Sequence, residues 1–170
     1  MNSSKITGTG TFIPSLKKEN ADFLEDEFLN NDGSTFSSDN DIIIEKFKAI
    51  TGITERRYAK DEYTTSDLAF FAAQKAIEDA NLHKEELDYI IVAHNFGDVK
   101  QGTIQGDMLP SIATRVKYKL EIENPNCVAY DILFGCPGWI EGVIQAQAFI
   151  KSGMAKRCMV IGAIQSVCTS

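Results

Sequence analysis

The side chain with the clearest chemical potential is a cysteine between a predicted strand and a predicted helix. The segment Tyr130–Trp139 reads Tyr-Asp-Ile-Leu-Phe-Gly-Cys-Pro-Gly-Trp, which predicts a buried strand, a tight turn and a helix that begins at Cys136. Unpaired N–H groups and the macrodipole at a helix N-terminus stabilise a thiolate. Pro137 suits the first helical turn, since its missing N–H would have no helical partner there. Cys136 is therefore a candidate nucleophile whose own N–H is free to donate to an oxyanion.

The alternative interpretation of Cys136 is a small buried residue, which is the more common place for a free cysteine. We expect that structural role for the other three cysteines, Cys127, Cys158 and Cys168, which lie within or after predicted strands. Four cysteines with no Cys-x-x-Cys pair are too few for a disulfide scaffold and do not indicate a metal site.

Two histidines and one aspartate are weaker candidates. Asp131 lies five residues before Cys136, and we expect it to fix the strand-to-helix turn by hydrogen bonds rather than to act as a base. His83 follows a predicted helix end, which favours an exposed or capping position. His94 ends a predicted strand near the rim of the expected pocket, so contact with substrate is possible there. Gly8-Thr9-Gly10 lacks the remaining glycine of a dinucleotide-binding motif, which argues against NAD.

Composition excludes several classes of partner. The 170 residues carry a formal net charge of −7 and a sequence pI near 4.8, without the clustered basic residues that a nucleic-acid surface requires. No apolar run approaches the roughly 20 residues of a membrane span, and the first residues do not resemble a secretory signal. The sequence therefore predicts a soluble cytoplasmic protein that binds neither nucleic acid nor membrane.

The elements that position Cys136 alternate between strands and helices. Apolar residues recur at helical spacing after Thr64-Thr65-Ser66-Asp67, and compact apolar runs suit strands buried on both faces of a parallel sheet. This alternation predicts an α/β layered fold. The predicted strands lie within Ser4–Pro14, Leu87–His94, Asn126–Ile132 and Arg157–Ala163. The predicted helices are Asn20–Asn30, Asp41–Ile50, one opened by Thr64–Asp67 with its apolar face running from Ala69 to Ala80, Met108–Leu120 and Cys136–Ser152.

Several short motifs occur together in the order found in one enzyme family. They are Ile6–Gly10 with Pro14, Thr51–Tyr58, Ile91–Ala93, Asp131–Gly138, Lys151–Met154 and Val160–Ala163. As a set, Thr-Gly-Ile-x-x-Arg and Asp-x-x-x-x-Cys-x-Gly are specific, although each is weak alone. On these residues the chain resembles the β-ketoacyl-acyl-carrier-protein synthase III branch of the thiolase-like superfamily, over essentially its whole length.

The resemblance implies a thiolase-like layered α/β fold, with residues 1–170 forming one half of a duplicated core. It implies that Cys136 accepts an acyl primer from acyl-CoA or acyl-carrier protein, with no bound cofactor and no metal. A decarboxylative Claisen condensation with malonyl-acyl-carrier protein would follow. The family's catalytic His and Asn belong to the second half, so we expect the full-length form to contain both halves and to be a homodimer. The end at Val167–Ser170, directly after a core-type strand, also predicts a longer protein.

Some positions depart from the family pattern. Many members have a Trp and an Arg before Thr-Gly-Ile that hold the adenine of coenzyme A, whereas this chain has Lys46 and Ile50 there. Arg56-Arg57 could meet a carrier-protein phosphate, but we favour a structural role. Trp139 could reshape the pocket, but we favour a core anchor. A specialised secondary-metabolite ketosynthase or acyltransferase, and a non-catalytic partner subunit, remain the alternative functions.

Overall fold

The computed structural model describes residues 4–100 and 102–163. The chain divides into two compact units, one formed by residues 1–12 and 61–170 and the other by residues 13–60. The elements in chain order are β1 (Leu16–Glu19), α1 (Asn40–Thr51), β2 (Glu55–Tyr58), α2 (Thr65–Ala80), β3 (Tyr89–His94), β4 (Asp98–Val99), β5 (Gly106–Asp107), α3 (Ile112–Lys119), β6 (Val128–Leu133), α4 (Gly138–Ser152) and β7 (Cys158–Gly162), with short 3-10 turns at Asn20–Phe23 and Lys84–Glu86.

The larger unit is built on a three-stranded parallel sheet in the order β6-β3-β7. Side chains on β3 alternate between two helical layers, since Ile90 and Val92 belong to the core formed with α2 and α3. Ile91 faces α4, where a methyl group built on Gly142 would lie 3.6 Å from its side chain. The sequence-based α/β prediction is therefore confirmed as an α/β/α sandwich with a parallel sheet, the arrangement expected when strands are apolar on both faces.

Helix α2 begins with a capping box. The Thr64 hydroxyl and N–H both contact Asp67, at 2.8 and 2.9 Å, and this satisfies N–H groups that a helix start leaves unpaired. The helix ends at Asn81, whose left-handed backbone (φ 47°) closes the last turn. Small residues Ala69 and Ala73 face the sheet and are 1% exposed, so the helix backbone packs close to the strands.

The smaller unit contains the antiparallel ribbon β1–β2 and helix α1. The predicted helix at Asn20–Asn30 is wrong, because only Asn20–Phe23 forms a short 3-10 turn. The Asn40 amide donates to the carbonyls of Leu24 and Asp26, at 2.7 and 2.9 Å, and Leu29 pairs with Thr35 in an isolated bridge. These contacts satisfy carbonyls that a helix would use internally.

The predicted opening strand is also wrong, because residues 4–14 form no strand. Residues 8–11 lie on α2 instead: a methyl group built on Gly10 would fall 2.3 Å from the carbonyl oxygen of Ala72. Two hydrogen bonds hold them there, from the Thr9 N–H to Asp79 at 2.7 Å and from Lys75 to the Thr11 carbonyl at 2.9 Å. Glycine at position 10 is needed because a side chain would collide with helix backbone.

Burial of the middle strand leads to a stability prediction. We expect Ile91→Ala to reduce the free energy of unfolding by about 2–5 kcal/mol, because Ile91 is fully buried between sheet and helix. Ile144→Ala is the matched control; its side chain is 54% exposed, so a change of about 0.5 kcal/mol or less is expected. Urea unfolding of both variants measures the difference, and equal losses would contradict the described packing.

Candidate active site

Cys136 lies in the turn that joins β6 to α4. The strand ends at Leu133 and the helix begins at Gly138, two residues after the start that the sequence predicted. The turn is closed by a hydrogen bond from the Gly138 N–H to the Gly135 carbonyl, at 3.0 Å. Pro137 is the N-cap, and its carbonyl accepts the Glu141 N–H at 3.2 Å. Cys136 thus precedes the helix cap rather than forming the first helical turn.

The Cys136 side chain is exposed, so the alternative of a small buried residue is wrong for this chain. Among the described residues, none accepts a hydrogen bond from the Cys136 N–H. The N-terminal end of α4 follows directly, and the partial positive charge there favours an anion nearby. The turn therefore offers an accessible thiol and an N–H donor on the same residue.

The other described cysteines lie in less reactive surroundings. Cys127 is buried, and this burial raises the pKa of its thiol. Cys158 is partly buried in β7, and burial raises its pKa to about 11. Cys168 lies outside the described residues. Since the thiolate is the reactive form, Cys127 and Cys158 are poor nucleophiles at neutral pH, in agreement with the structural role predicted for them.

The Asp131 carboxylate, in the second half of β6, accepts three hydrogen bonds. The donors are the N–H groups of Ile112 and Ala113, both at 2.7 Å, and Nε2 of His94 at 2.9 Å. Asp131 was expected to fix the turn before Cys136 by hydrogen bonds. Its carboxylate does form hydrogen bonds, but they hold the N-terminus of α3 and not that turn. The expectation of a structural rather than a basic role agrees with these contacts, whereas the location is corrected.

His94 is buried rather than lining a pocket rim. Its side chain is 1% exposed, and its Nδ1 accepts the Gly97 N–H at 3.0 Å. Both ring nitrogens are therefore engaged within the protein, and the expected position at a pocket rim is corrected to a buried one. His83 is exposed before the 3-10 turn at Lys84–Glu86, as predicted.

A buried polar cluster that the sequence analysis missed holds the chain that follows His94. The Asp98 carboxylate accepts the Ser66 N–H at 2.7 Å, the Ser66 hydroxyl at 2.8 Å and Nη1 of Arg115 at 2.8 Å. Arg115 also binds Asp107 at 2.9 Å, and this ion pair lowers the pKa of the Asp107 carboxyl. Asp98 and Asp107 belong to the short hairpin β4–β5. No local motif marks these residues, because they are separated by up to 49 positions (66 to 115).

Asn95 directly follows His94 and lies three residues before Asp98. Its side-chain oxygen is buried. Within residues 4–100 and 102–163, that oxygen has no hydrogen-bond partner. Buried polar atoms are nearly always paired, so Asn95 Oδ1 is an unused acceptor close in sequence to His94. No sequence pattern marks this residue, because an asparagine after a strand is common in turns.

Helix α4 packs closely on the sheet through glycines. A methyl group built on Gly138 would lie 3.0 Å from Cβ of Ala93, and one on Gly142 would lie 2.7 Å from a methyl carbon of Val160. Trp139 was expected to be a core anchor, but its side chain is 46% exposed. Its inner edge lies against Gly162, where a built methyl group would be 3.3 Å from the Trp139 Cβ. The ring therefore covers the end of β7 without entering the core.

The residues at the positions of the expected coenzyme A clamp lie in the smaller unit. Lys46 and Ile50 are one helical turn apart on α1, and Ile50 is 81% exposed. Arg56 donates to the Asn20 side chain at 2.9 Å and Arg57 to Glu55 at 2.8 Å, in agreement with the structural role favoured for this pair.

Residues 4–100 and 102–163 contain no group of three or more His, Cys, Asp or Glu side chains that could hold a metal ion. In the same residues, no helix has the length and apolar character needed to cross a membrane.

Comparison with known proteins finds relatives by sequence and by structure, although not by family profile. No known family profile matches the chain. Among curated relatives, the β-ketoacyl-[acyl-carrier-protein] synthase III 1 of Vibrio cholerae is 40% identical over 160 residues, which is 94% of this chain and 43% of the relative. The β-ketoacyl-[acyl-carrier-protein] synthase III of Neisseria gonorrhoeae is 37% identical over 163 residues, 96% of this chain and 44% of the relative.

Solved structures agree with the sequence relatives. The 3-oxoacyl-[acyl-carrier-protein] synthase III of Aquifex aeolicus superposes with a TM-score of 0.73 at 36% identity, covering 94% of this chain and 44% of that protein. The corresponding synthase III of Thermus thermophilus gives a TM-score of 0.68 at 32% identity, over 95% and 43%. The chain thus spans less than half the length of the proteins that it matches, and its fold is thiolase-like.

Exposure and ionisation together predict which thiol reacts first. We expect iodoacetamide at pH 7 to label Cys136 before Cys127 and Cys158, because with a pKa near 11 only about one Cys158 side chain in ten thousand is ionised at that pH. Peptide mapping after limited labelling measures the order for all four thiols, and Cys136→Ser is the control for the assignment. Faster labelling of Cys127 or Cys158 would remove the main support for this site.

Proposed function

Since the chain belongs to the β-ketoacyl-acyl-carrier-protein synthase III family and matches its N-terminal half, we propose that Cys136 accepts the acyl primer of a decarboxylative condensation. The observation that carries the proposal is the exposed Cys136 thiol at the carboxyl edge of the parallel sheet. Residues that do chemistry on α/β sheets are commonly found at this edge. The proposed substrates are an acyl thioester and malonyl-acyl-carrier protein.

In the first step the Cys136 thiolate attacks the carbonyl carbon of the acyl thioester. A new C–S bond forms to Cys136, and the carbonyl oxygen becomes an oxyanion. The Cys136 N–H, which donates to none of the described residues, would stabilise this oxyanion, because donors aimed at developing charge lower the barrier. The C–S bond to the carrier then breaks, and the leaving thiolate takes up a proton.

In the second step the malonyl group loses CO₂, and the resulting enolate carbon attacks the acyl carbon on Cys136. A C–C bond forms, the C–S bond to Cys136 breaks, and the β-ketoacyl product remains on its carrier. The family resemblance assigns the His and Asn that assist decarboxylation to the second half. The chain's own contribution is therefore the nucleophile, its turn and one oxyanion donor.

Acylation is the direct test of this role. We expect the chain to gain the mass of one acyl group on Cys136 when mixed with an acyl thioester, and Cys136→Ala to gain none. Cys127→Ser is the matched control, because Cys127 is a buried thiol outside the proposed chemistry. Condensation with malonyl-acyl-carrier protein is expected only from a form that also has the second half, since groups that act as a unit are not replaced singly. Robust β-ketoacyl product from these 170 residues would contradict the assignment of roles.

A non-catalytic partner subunit remains the alternative from another class. That function requires no reactive thiol, so a chain whose Cys136 stays unmodified by any acyl thioester would favour it. The exposed position of Cys136 supports catalysis instead, because an exposed thiol has no packing role that would explain it. The specialised secondary-metabolite ketosynthase shares the same first step and differs in the primer.

The choice of primer leads to a separate prediction. With Lys46 and Ile50 in place of the family's Trp and Arg, contacts to the coenzyme A adenine worth about 1–2 kcal/mol are absent, which is about 5- to 30-fold in affinity. We therefore expect the protein with both halves to acylate Cys136 faster from acyl-carrier protein than from the matching acyl-CoA. Competition between the two primers at equal concentration measures the preference.

The double variant Lys46→Trp with Ile50→Arg provides the matched test. Both side chains lie one turn apart on α1 and are exposed, so larger groups meet no packing obstacle there. The variant is expected to gain acyl-CoA reactivity while its reaction with acyl-carrier protein changes little. Faster acylation of the unaltered protein by acetyl-CoA would contradict the prediction and favour an ordinary initiation role.

A further inference from the structure

His94 joins the end of the middle strand, β3, to strand β6, which precedes the Cys136 turn. Its Nδ1 lies 3.0 Å from the Gly97 N–H, which can only donate, and its Nε2 lies 2.9 Å from an oxygen of Asp131. An ionised carboxylate can only accept. The hydrogen-bond network therefore assigns one tautomer, with the proton on Nε2 and the lone pair on Nδ1. Each nitrogen is used, and the ring is 1% exposed.

Asp131, the hydrogen-bond partner of His94 Nε2, is also held by the start of helix α3. The two oxygens of Asp131 also accept the N–H groups of Ile112 and Ala113, both at 2.7 Å, where α3 begins. The Asp131 side chain is 7% exposed, so the carboxylate has little access to water. Three donors from two elements thus hold one buried carboxylate in β6, and His94 is the donor that comes from β3.

The same strand ends support the turn that carries Cys136. The first residue of α4, Gly138, packs on Ala93 so closely that a built methyl group would be 3.0 Å from the Ala93 Cβ and 3.4 Å from the Phe134 Cβ. Ala93 directly precedes His94, and Phe134 lies between β6 and Cys136. A displacement of Ala93 at the end of β3 would therefore also displace Gly138 at the start of α4 and the Cys136 turn before it.

The chain after His94 is also tightly constrained. Gly97 has a left-handed backbone (φ 75°), and a methyl group built on it would lie 2.5 Å from the Asp107 carbonyl oxygen. The Thr65 hydroxyl donates to the Gly97 carbonyl at 2.7 Å. The Gly97 N–H thus sits in a buried loop, and the His94 ring is its acceptor.

We propose that neutral His94, through its bonds to Asp131 and Gly97, is a positioning residue that holds the Cys136 turn in its reactive geometry. The inference rests on the proposed function, since it concerns acylation of Cys136. His94 acts through the ends of β3 and β6 and does not touch the reacting atoms. Without the ring, two buried groups lose a partner and the strand ends are less fixed, so the thiol and its N–H are less well aligned with a thioester.

Two substitutions separate hydrogen bonding from ring packing. His94→Phe keeps a ring and removes both hydrogen bonds, whereas His94→Gln offers one amide N–H₂ to Asp131 and one carbonyl oxygen to Gly97. We expect the maximal rate of Cys136 acylation by an acyl thioester to fall about 10- to 100-fold in His94→Phe, the range for a small misplacement of a reacting group, and His94→Gln to recover most of it. The exposed His83→Gln is the matched control and should leave the rate unchanged.

Three results would overturn the proposal. They are an unchanged maximal rate in a folded His94→Phe, an equal loss in His94→Phe and His94→Gln, and a ring ¹⁵N signal of His94 that shows the proton on Nδ1. If His94→Phe does not fold, the Gln variant and the ¹⁵N spectrum still decide, because the proposal requires both a near-normal rate and the Nε2–H tautomer.

Failure of the proposed function would be recognised separately. If no acyl thioester modifies Cys136 in the unaltered protein, that function is wrong, whatever His94 does. The rate of Cys136 labelling by iodoacetamide then replaces the acylation rate as the measurement. We expect labelling to be slowed most in His94→Phe, to be largely restored in His94→Gln and to be unchanged in His83→Gln. Equal labelling rates for the unaltered protein and a folded His94→Phe would contradict the positioning role on its own.

Discussion

Strand β3 is shielded from solvent on both faces and along both edges. Strands β6 and β7 pair with its two edges, and helices cover its two faces. Ile90, Ile91 and Val92 are each fully buried, and their peptide groups are paired with neighbouring strands. A buried peptide group without a partner would be costly. Both flanking strands must therefore pair with β3 along its length. They do so in parallel, and this arrangement brings the carboxyl ends of three strands to one edge.

Polar chemistry at this edge follows from the same arrangement. Helix α3 starts beside the sheet, and its first N–H groups have no helical acceptor. Asp131 satisfies two of them, and burial of that carboxylate is tolerated because His94 supplies a third donor. Cys136 lies beyond the network on the exposed side of the turn. The site therefore combines a rigid, fully paired buried layer with an accessible thiol, the combination that a positioned nucleophile requires.

Local patterns were sufficient to predict strands β3, β6 and β7 and helices α2 and α4 of the larger unit, whereas α3 begins at Ile112 and not at the predicted Met108. The apolar run at Leu87–His94 and the capping box at Thr64 carry their signals within a few residues, as does the turn around Cys136. The predictions that proved wrong depend on distant partners. Residues 8–11 lie on α2 because glycines fit its backbone, and the Asn40 amide donates to the carbonyls of Leu24 and Asp26. His94 looked like a rim residue because its partners, Asp131 and Gly97, become neighbours only after folding.

The contrast among the cysteines shows how one chemical group acquires different reactivities. Cys127 and Cys158 are held by packing, and burial raises the pKa of both thiols, so they serve as small apolar side chains. Cys136 lies where the strand has ended and the helix has not begun, and its side chain is exposed. Because Gly138 must sit on Ala93, the exposed thiol is nevertheless tied to the most buried strand of the protein. Accessibility and rigidity at Cys136 thus arise from the same close contact between α4 and β3.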